Sequence, residues 1–196
     1  MTNVFLSASV PLPNRDPRFM TTADVIAIRE AVKALVTEVV PKGVIVFGGH
    51  PAITPLIALL LRGLGRDSVH RVVLYQSAFF TEQFGRENDE FLDVRIVPAV
   101  QDSRDQSLQQ MRTRMIGGTS FDAGVFIGGM EGVLDEFSMF GHLHPRAARW
   151  PIASTGAAAK ELFEAEGARR PELFADEMTY STLFRRLLSE LPVASG

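Results

Sequence analysis

The sequence has no cysteine among its 196 residues. A disulfide framework, a thiolate nucleophile and a cysteine-based zinc site are therefore excluded. Long apolar runs are also missing, because the most apolar stretch, 53–64, is interrupted by Thr54, Pro55 and Arg62 and is too short to span a bilayer. The first residues lack the basic start and the small-residue cleavage site of a signal peptide. We therefore expect a cytoplasmic protein without a membrane partner.

An excess of positive charge is absent as well. Lysine and arginine number 20 and aspartate and glutamate 23, which gives a formal net charge of −3. A surface that displaces counterions from nucleic acid needs an excess of lysine and arginine over aspartate and glutamate, so we do not expect a nucleic-acid partner. The hydrophobic fraction of 46% excludes global disorder. The length suits one α/β domain, and we predict a single domain over 1–196.

Short apolar runs rich in β-branched residues alternate with longer segments of helical spacing. The runs that predict strands are 4–6, 44–47, 71–75, 93–97, 123–127 and 151–154. Helices are predicted between and after these strands. The first begins at a cap in 21–24 and ends at Val39, and the others span 53–64, 81–88, 107–116, 132–140, 157–166 and 180–191. This alternation predicts an α/β fold, doubly wound, with a mostly parallel sheet and helices on both faces. In such sheets the ligand crevice lies beyond the carboxyl ends of the strands.

Small and polar residues follow four of the predicted strands, and we expect them to line a ligand crevice. They are Ser7, Ala8 and Ser9; Gly48, Gly49, His50 and Pro51; Gly128, Gly129, Met130, Glu131 and Gly132; and Ser154, Thr155 and Gly156. Glycine turns that lead into helices bring backbone N–H groups close to a phosphate. Neither the Gly-x-Gly-x-x-Gly nor the Walker pattern occurs in them, which excludes an ordinary nicotinamide or P-loop site. Alternatively, the glycines only make tight strand-to-helix turns.

Three further groups are candidates for contacts with a ligand. Glu136, four residues beyond Gly132, suits recognition of a ribose or stabilisation of a cationic sugar transition state. It is equally an ordinary acid near a helix N-terminus. His50 can donate to a phosphate or a base, or make only a structural bond. The loop with Arg15, Asp16 and Arg18 either folds over a ligand phosphate or is a solvated surface loop.

Two segments resemble a known superfamily. They are the turn F-G-G-H-P at 47–51 and the run G-G-M-E-G-V-L-D-E-F at 128–137, preceded by V-F-L-S-A-S-V-P at the start of the chain. These resemble the SLOG superfamily, and in particular its branch called SLOG cluster 3. That superfamily includes LOG-type nucleotide phosphoribohydrolases, the DNA-processing protein Smf/DprA, the cytosolic domains of TRPM channels and bacterial defence sensor domains. The resemblance implies a Rossmann-like fold that binds a nucleotide or nucleotide-derived ligand.

The LOG enzymes carry the pattern Pro-Gly-Gly-x-Gly-Thr-x-x-Glu after a strand and an arginine on the preceding helix. The matching residues here are Gly128, Gly129, Gly132 and Glu136, with one extra residue before Gly132, Ile127 in place of the proline and Val133 in place of the threonine. The run 111–115 stands where the helical arginine belongs, so Arg112 and Arg114 are both candidates.

The resemblance implies one of two functions, and a third alternative is a non-enzymatic interaction protein whose crevice is vestigial. The first is a sensor domain for an ADP-ribose- or NAD-type ligand in a bacterial defence or signalling system. The second is N-glycosidic hydrolysis of nucleoside monophosphates or NAD-like substrates, with Glu136 and Arg112 or Arg114 as catalytic residues. Neither function requires a cofactor, and we predict no metal site. LOG-type relatives commonly dimerise, so a homo-oligomer, dimer or tetramer, is expected. The protein would act alone, as that oligomer, or with a separate effector protein.

Overall fold

A computed structural model describes residues 1–12, 14, 17–166 and 171–192 of the chain. Its strands are β1 (Thr2–Ser9), β2 (Gly43–Gly48), β3 (Val72–Ser77), β4 (Asp93–Val97), β5 (Ala123–Gly128) and β6 (Ala148–Ile152). Its α-helices are α1 (Pro17–Thr22), α2 (Val25–Val39), α3 (Thr54–Leu64), α4 (Arg104–Gly117), α5 (Glu131–Leu143), α6 (Ala157–Glu166), α7 (Pro171–Ala175) and α8 (Tyr180–Ser189). Within the described residues, none of the helices has the length and apolar character needed to cross a membrane.

The strands form one sheet in the order β4-β3-β2-β1-β5-β6, and every pairing between them is parallel. The chain adds β2, β3 and β4 on one side of β1, then crosses over to place β5 and β6 on the other side. The order therefore reverses next to β1, which is the switch point where ligands bind in doubly wound sheets. The expected Rossmann-like α/β fold is confirmed.

Helices cover both faces of the sheet, as predicted. On the first face α2, α3 and α8 pack against Val4, Leu6 and other strand residues of the same orientation. On the second face α1, α4, α5 and α6 pack against Phe5, Val46 and Phe126. Successive strand residues point to opposite faces, so a strand covered on both sides must be apolar at nearly every position. This explains the continuous apolar runs in the sequence.

Local signals account for the start of α2 but not for the segment 81–88. The Asp24 side chain accepts a 2.8 Å hydrogen bond from the N–H of Ala27, so the predicted N-cap is confirmed. The helix predicted over 81–88 is wrong, because two short 3₁₀ helices, Ala78–Gln83 and Arg86–Glu90, take its place. Between them Phe84 and Gly85 are extended, which interrupts a continuous helix.

Candidate functional site

The turns that follow β2, β1, β5 and β6 lie along one edge of the sheet. These four strands are adjacent and parallel, so their carboxyl ends point the same way. Ser9 at the end of β1 is in register with Gly128 at the end of β5. The topology thus brings together the segments predicted to line a ligand crevice. Their hydrogen bonds and contacts show which of them can bind a ligand directly.

Glu136 connects three elements on the second face of the sheet. From α5, its Oε2 accepts a 2.6 Å hydrogen bond from the Ser7 hydroxyl of β1. Its Oε1 accepts from Nε of Arg112 on α4 at 3.3 Å. Ser7 is 1% exposed, and the side chains of Arg112 and Glu136 are each 14% exposed. The carboxylate is therefore held between a neutral donor and a cation in a site with little water.

The structure separates the two arginine candidates of α4. Arg112 reaches Glu136 and also donates from Nη1 to Oδ2 of Asp135 at 3.1 Å. Residues two positions apart on a helix point about 200° apart around its axis. Accordingly Arg114 is exposed and lines an open surface groove of about 590 Å³ with Gln106 and other residues of α4. Arg112, and not Arg114, is the arginine that contacts Glu136.

The pKa of Glu136 is raised above the ordinary value of 4.5. Burial is the largest cause, because removing the carboxylate from water disfavours its charged form. The charge of Arg112 and the hydrogen bond from Ser7 act in the opposite direction without cancelling the effect of burial. Glu136 therefore holds a proton to a higher pH than an exposed glutamate does.

The turn between β5 and α5, residues 128–132, offers a group of backbone donors beside Arg112. We call it the α5 turn. Gly128 and Gly129 have φ angles of +56° and +92°, which other residues rarely adopt. A Cβ atom on Gly132 would lie 2.7 Å from Nη2 of Arg112, so the guanidinium lies directly against this turn. Within the described part of the chain no protein acceptor contacts the N–H groups of Gly129, Met130, Glu131 and Gly132.

The first glycine turn, after β2, differs because its donors are bound within the protein. Gly49 donates its N–H to the Tyr75 carbonyl at 2.9 Å, and His50 donates its N–H to Oγ1 of Thr54 at 3.0 Å. The Gln76 side chain lies against Gly49, where a Cβ atom would be 2.3 Å from its Nε2. The ligand-binding role of Gly48, Gly49, His50 and Pro51 stays a prediction. It would require the N–H groups of Gly49 and His50 to leave their protein acceptors for the ligand.

Among the small residues after β6, Thr155 holds the α5 turn by a hydrogen bond to its first residue, Gly128. Thr155 is fully buried; its hydroxyl accepts from the N–H of Gly128 at 2.9 Å and donates to the Ile152 carbonyl at 2.6 Å. The Ser154 hydroxyl donates to the Glu177 carbonyl at 3.1 Å. Thr155 therefore orients the α5 turn. The ligand contacts of Ser154, Thr155 and Gly156 stay a prediction.

The remaining candidates are placed as follows. Ala8 and Ser9 are half-buried at the end of β1, and the Ser9 hydroxyl is 3.4 Å from where a Cβ atom of Gly129 would be. Arg15 and Asp16 lie outside the described residues. The Arg18 guanidinium stacks 4.3 Å from the ring centre of Phe19.

Sequence reasoning missed the role of Asp135. This second carboxylate at Arg112 stands next to Glu136 in the sequence, and its proximity to the candidate acid was the available signal.

Comparisons with known proteins support the resemblance seen in the sequence. The model of the SLOG cluster3 family matches residues 18–188, a span that includes α4, β5 and α5 and therefore Arg112 and Glu136. No curated protein and no solved structure matches the chain. The family match indicates a nucleotide-related Rossmann-like domain, in agreement with the parallel sheet. Because this match covers most of its length, the chain belongs to the SLOG cluster3 family.

Proposed function

We propose that this protein binds a nucleotide-derived ligand, with an anionic group of the ligand at the α5 turn. The observation that carries the proposal is the group of backbone N–H donors of the turn that have no acceptor among the described residues, next to the guanidinium of Arg112. The N-terminus of a helix also bears a partial positive charge, and these features together suit a phosphate.

The carboxylate of Glu136 narrows the class of ligand. A phosphate is only an acceptor at neutral pH and would be repelled by a carboxylate, whereas a sugar hydroxyl can donate to it. A ligand that carries both phosphate and hydroxyl groups therefore satisfies the α5 turn and Glu136 at once. Nucleotides of the ADP-ribose or NAD type have this combination. Together with the family assignment, this supports a role as a ligand sensor that signals to a separate effector protein in a bacterial defence or signalling system.

Binding is tested by thermal shift and calorimetry with AMP, ADP-ribose, cyclic ADP-ribose and NAD. A ligand at 100 times its Kd stabilises the folded protein by about 2.7 kcal/mol, which gives a clear increase in Tm. We expect Arg112→Ala to weaken binding at least about tenfold, because a charge-assisted hydrogen bond contributes about 1.5–3 kcal/mol. Arg114→Ala, on the same helix but facing away from Glu136, is the matched control and should bind as wild type does. Absence of a shift with all four compounds, or equal losses in the two variants, contradicts the proposal.

A second candidate function is hydrolysis of the N-glycosidic bond of such a ligand. The observation that favours it is the raised pKa of the buried Glu136 beside Arg112. In its protonated form Glu136 is a proton donor for a departing base, and in its ionised form it stabilises positive charge at the anomeric carbon. Arg112 would hold the phosphate while that charge develops.

Hydrolysis is tested by incubating the protein with AMP or NAD and separating the products by chromatography. If it occurs, Glu136→Gln should lower the release of base at least about a hundredfold, the lower range for loss of a general acid. Arg114→Ala, on the same helix as Arg112 but facing away from Glu136, is the matched control and should retain most of the activity. If wild type releases no base, the sensor function alone remains.

A further inference from the structure

The outer edge of β4 is open. In the part of the chain that the structure describes, β4 is the last strand of the sheet and pairs only with β3. Across the described residues, the backbone groups of β4 that point away from β3 have no hydrogen-bond partner in the protein. The opposite edge strand, β6, is less suited to pairing, because Pro151 lacks an N–H group and α7 packs against the strand. An unprotected edge strand is a template for pairing with another chain.

The sequence around Val94 is complementary to itself. Asp93 precedes Val94 and Arg95 follows it, and the next residues outward are Leu92 and Ile96. If a second copy pairs antiparallel about a two-fold axis through Val94, Asp93 of each copy stands opposite Arg95 of the other, and Leu92 stands opposite Ile96. Opposite charges and apolar pairs directly across strands are both stabilising. A register moved by one residue would lose both matches.

The exposure of these side chains agrees with such a pairing. Leu92 and Ile96 are 62% and 56% exposed, which is unusual for large apolar residues next to a sheet. Leu59 of α3 is also 62% exposed, and it lies one helical turn before Arg62, which bonds to Glu90 just ahead of β4. Leu59 therefore extends the apolar surface beside the edge, which matters because a stable interface buries about 1,200–2,000 Å² in total.

The charged pair is already arranged for this contact. Arg95 donates to both carboxylate oxygens of Asp93 within the same strand, at 2.9 and 2.8 Å, and Nη1 donates to the Tyr75 hydroxyl at 3.0 Å. Both side chains remain substantially exposed, so each is available to a second copy as well. Two such pairs, placed antiparallel, form a group of four charges with alternating signs.

We propose that two copies of this chain associate through β4, antiparallel and centred on Val94, so that the two six-stranded sheets become one continuous sheet. This interface is on the outer edge of the sheet, whereas the α5 turn follows β5 on the other side of β1, so the proposal does not depend on the proposed ligand site. The partner surface is the same surface of the second copy, as a two-fold interface requires.

The first test uses charge reversal and sedimentation of the full chain at micromolar concentration. Wild type should sediment as a dimer. Asp93→Arg and Arg95→Asp each place like charges opposite one another and should raise the dimer dissociation constant at least about tenfold. A mixture of the two variants should form a one-to-one dimer, because every opposing pair is then of opposite sign. A monomeric wild type, or dimers in both variants alone, overturns the proposal.

The second test uses the absence of native cysteine. In an antiparallel pair, residues directly opposite have Cα atoms about 4.5–5.5 Å apart, which is within the range that a disulfide spans. Val94→Cys should therefore be trapped as a disulfide-linked dimer under mild oxidation, whereas Ile26→Cys, on the exposed surface of α2, should not. Equal linking in the two variants, or none at position 94, overturns the assignment.

A third variant covers the case in which the charge reversals impair folding. Ile96→Lys changes a side chain that is largely exposed in the monomer, and circular dichroism should show an intact fold. Its lysine would lie against Leu92 of the second copy, so the dimer should be lost. A folded Ile96→Lys that remains dimeric overturns the proposal.

Discussion

The Ser7 hydroxyl donates a 2.6 Å hydrogen bond to Oε2 of Glu136 across 129 positions of sequence. The other oxygen of the same carboxylate accepts from Arg112. One side chain thus connects the central strand β1 to the helices α4 and α5.

Replacing Glu136 by glutamine should change how stability depends on pH. The pKa of Glu136 is raised in the folded protein, chiefly by burial, so the folded state binds a proton to a higher pH than the unfolded chain does. The resulting stabilisation is complete below the unfolded pKa and is lost as pH rises through the folded pKa. Relative to Glu136→Gln, wild type should therefore lose free energy of unfolding as pH increases from acid towards neutral.

Urea denaturation at a series of pH values measures this difference. The matched control is Arg114→Ala, since that side chain is exposed and lies on the same helix as Arg112, facing away from Glu136. The difference between wild type and Arg114→Ala should not follow the same trend. A difference between wild type and Glu136→Gln that is constant with pH, or that grows in favour of wild type, contradicts the expectation.

Arg112 and Glu136 should be energetically coupled. A double-mutant cycle with Arg112→Met and Glu136→Gln is expected to give a coupling free energy of about 0.5–3 kcal/mol, because the pair is mostly shielded from water. The cycle for Lys33 and Glu30, an exposed pair on α2, should give no more than about 0.5 kcal/mol. Equal coupling in the two cycles, measured by urea denaturation, would show that burial does not strengthen the Arg112 contact.

Thr155→Val should destabilise the protein by about 1–3 kcal/mol, the cost of leaving a buried backbone group without its partner. The substitution removes the oxygen that accepts from the N–H of Gly128 and donates to the carbonyl of Ile152. Thr113→Val is the control, because that exposed hydroxyl donates to the Gln109 carbonyl of its own helix and its loss should change stability by no more than about 0.5 kcal/mol. The midpoint of urea unfolding distinguishes the two variants.

Gly156→Ala should be strongly destabilising, by about 2 kcal/mol or more, and Gly63→Ala should not. At Gly156 the φ angle is +70° and a Cβ atom would lie 1.7 Å from the Thr22 carbonyl oxygen, which is part of the backbone and cannot move aside as a side chain can. At Gly63, in α3, a Cβ atom would meet nothing within 4 Å, so alanine should stabilise the helix by about 0.5–1 kcal/mol. The Tm of each variant, measured under the same conditions, tests the prediction. Equal shifts of Tm in Gly156→Ala and Gly63→Ala would contradict it.

Much of the fold was predictable from local patterns. Apolar runs buried on both faces identified the strands, and the Asp24 cap marked the start of α2. These signals act within a few residues, so a sequence displays them directly. The helix predicted over 81–88 was wrong because the polar sequence does not show that Phe84 and Gly85 are extended. These two residues separate two short 3₁₀ helices.

The candidate site was predictable as a set of strand ends, but not as a set of contacts. Equal sequence evidence favoured both Arg112 and Arg114, and both glycine turns. The packing of α4 beside α5 brings Arg112 into contact with Glu136. The N–H of Gly49 donates to the Tyr75 carbonyl of the neighbouring strand, which distinguishes the two glycine turns. Such partners come from other strands and helices, and sequence spacing does not encode their distances.

The order of residues alone therefore established an alternating α/β chain, the glycine turns at its strand ends and the likeness to the SLOG superfamily. Only the tertiary structure decided that β1 is central and that Glu136 faces Ser7 and Arg112. It also decided that the donors of the α5 turn find no acceptor among the residues the structure describes. The physical reason is that secondary structure depends on interactions between near neighbours. The pairing of a buried carboxylate or a backbone N–H depends on which distant segments the packed core brings within hydrogen-bonding distance.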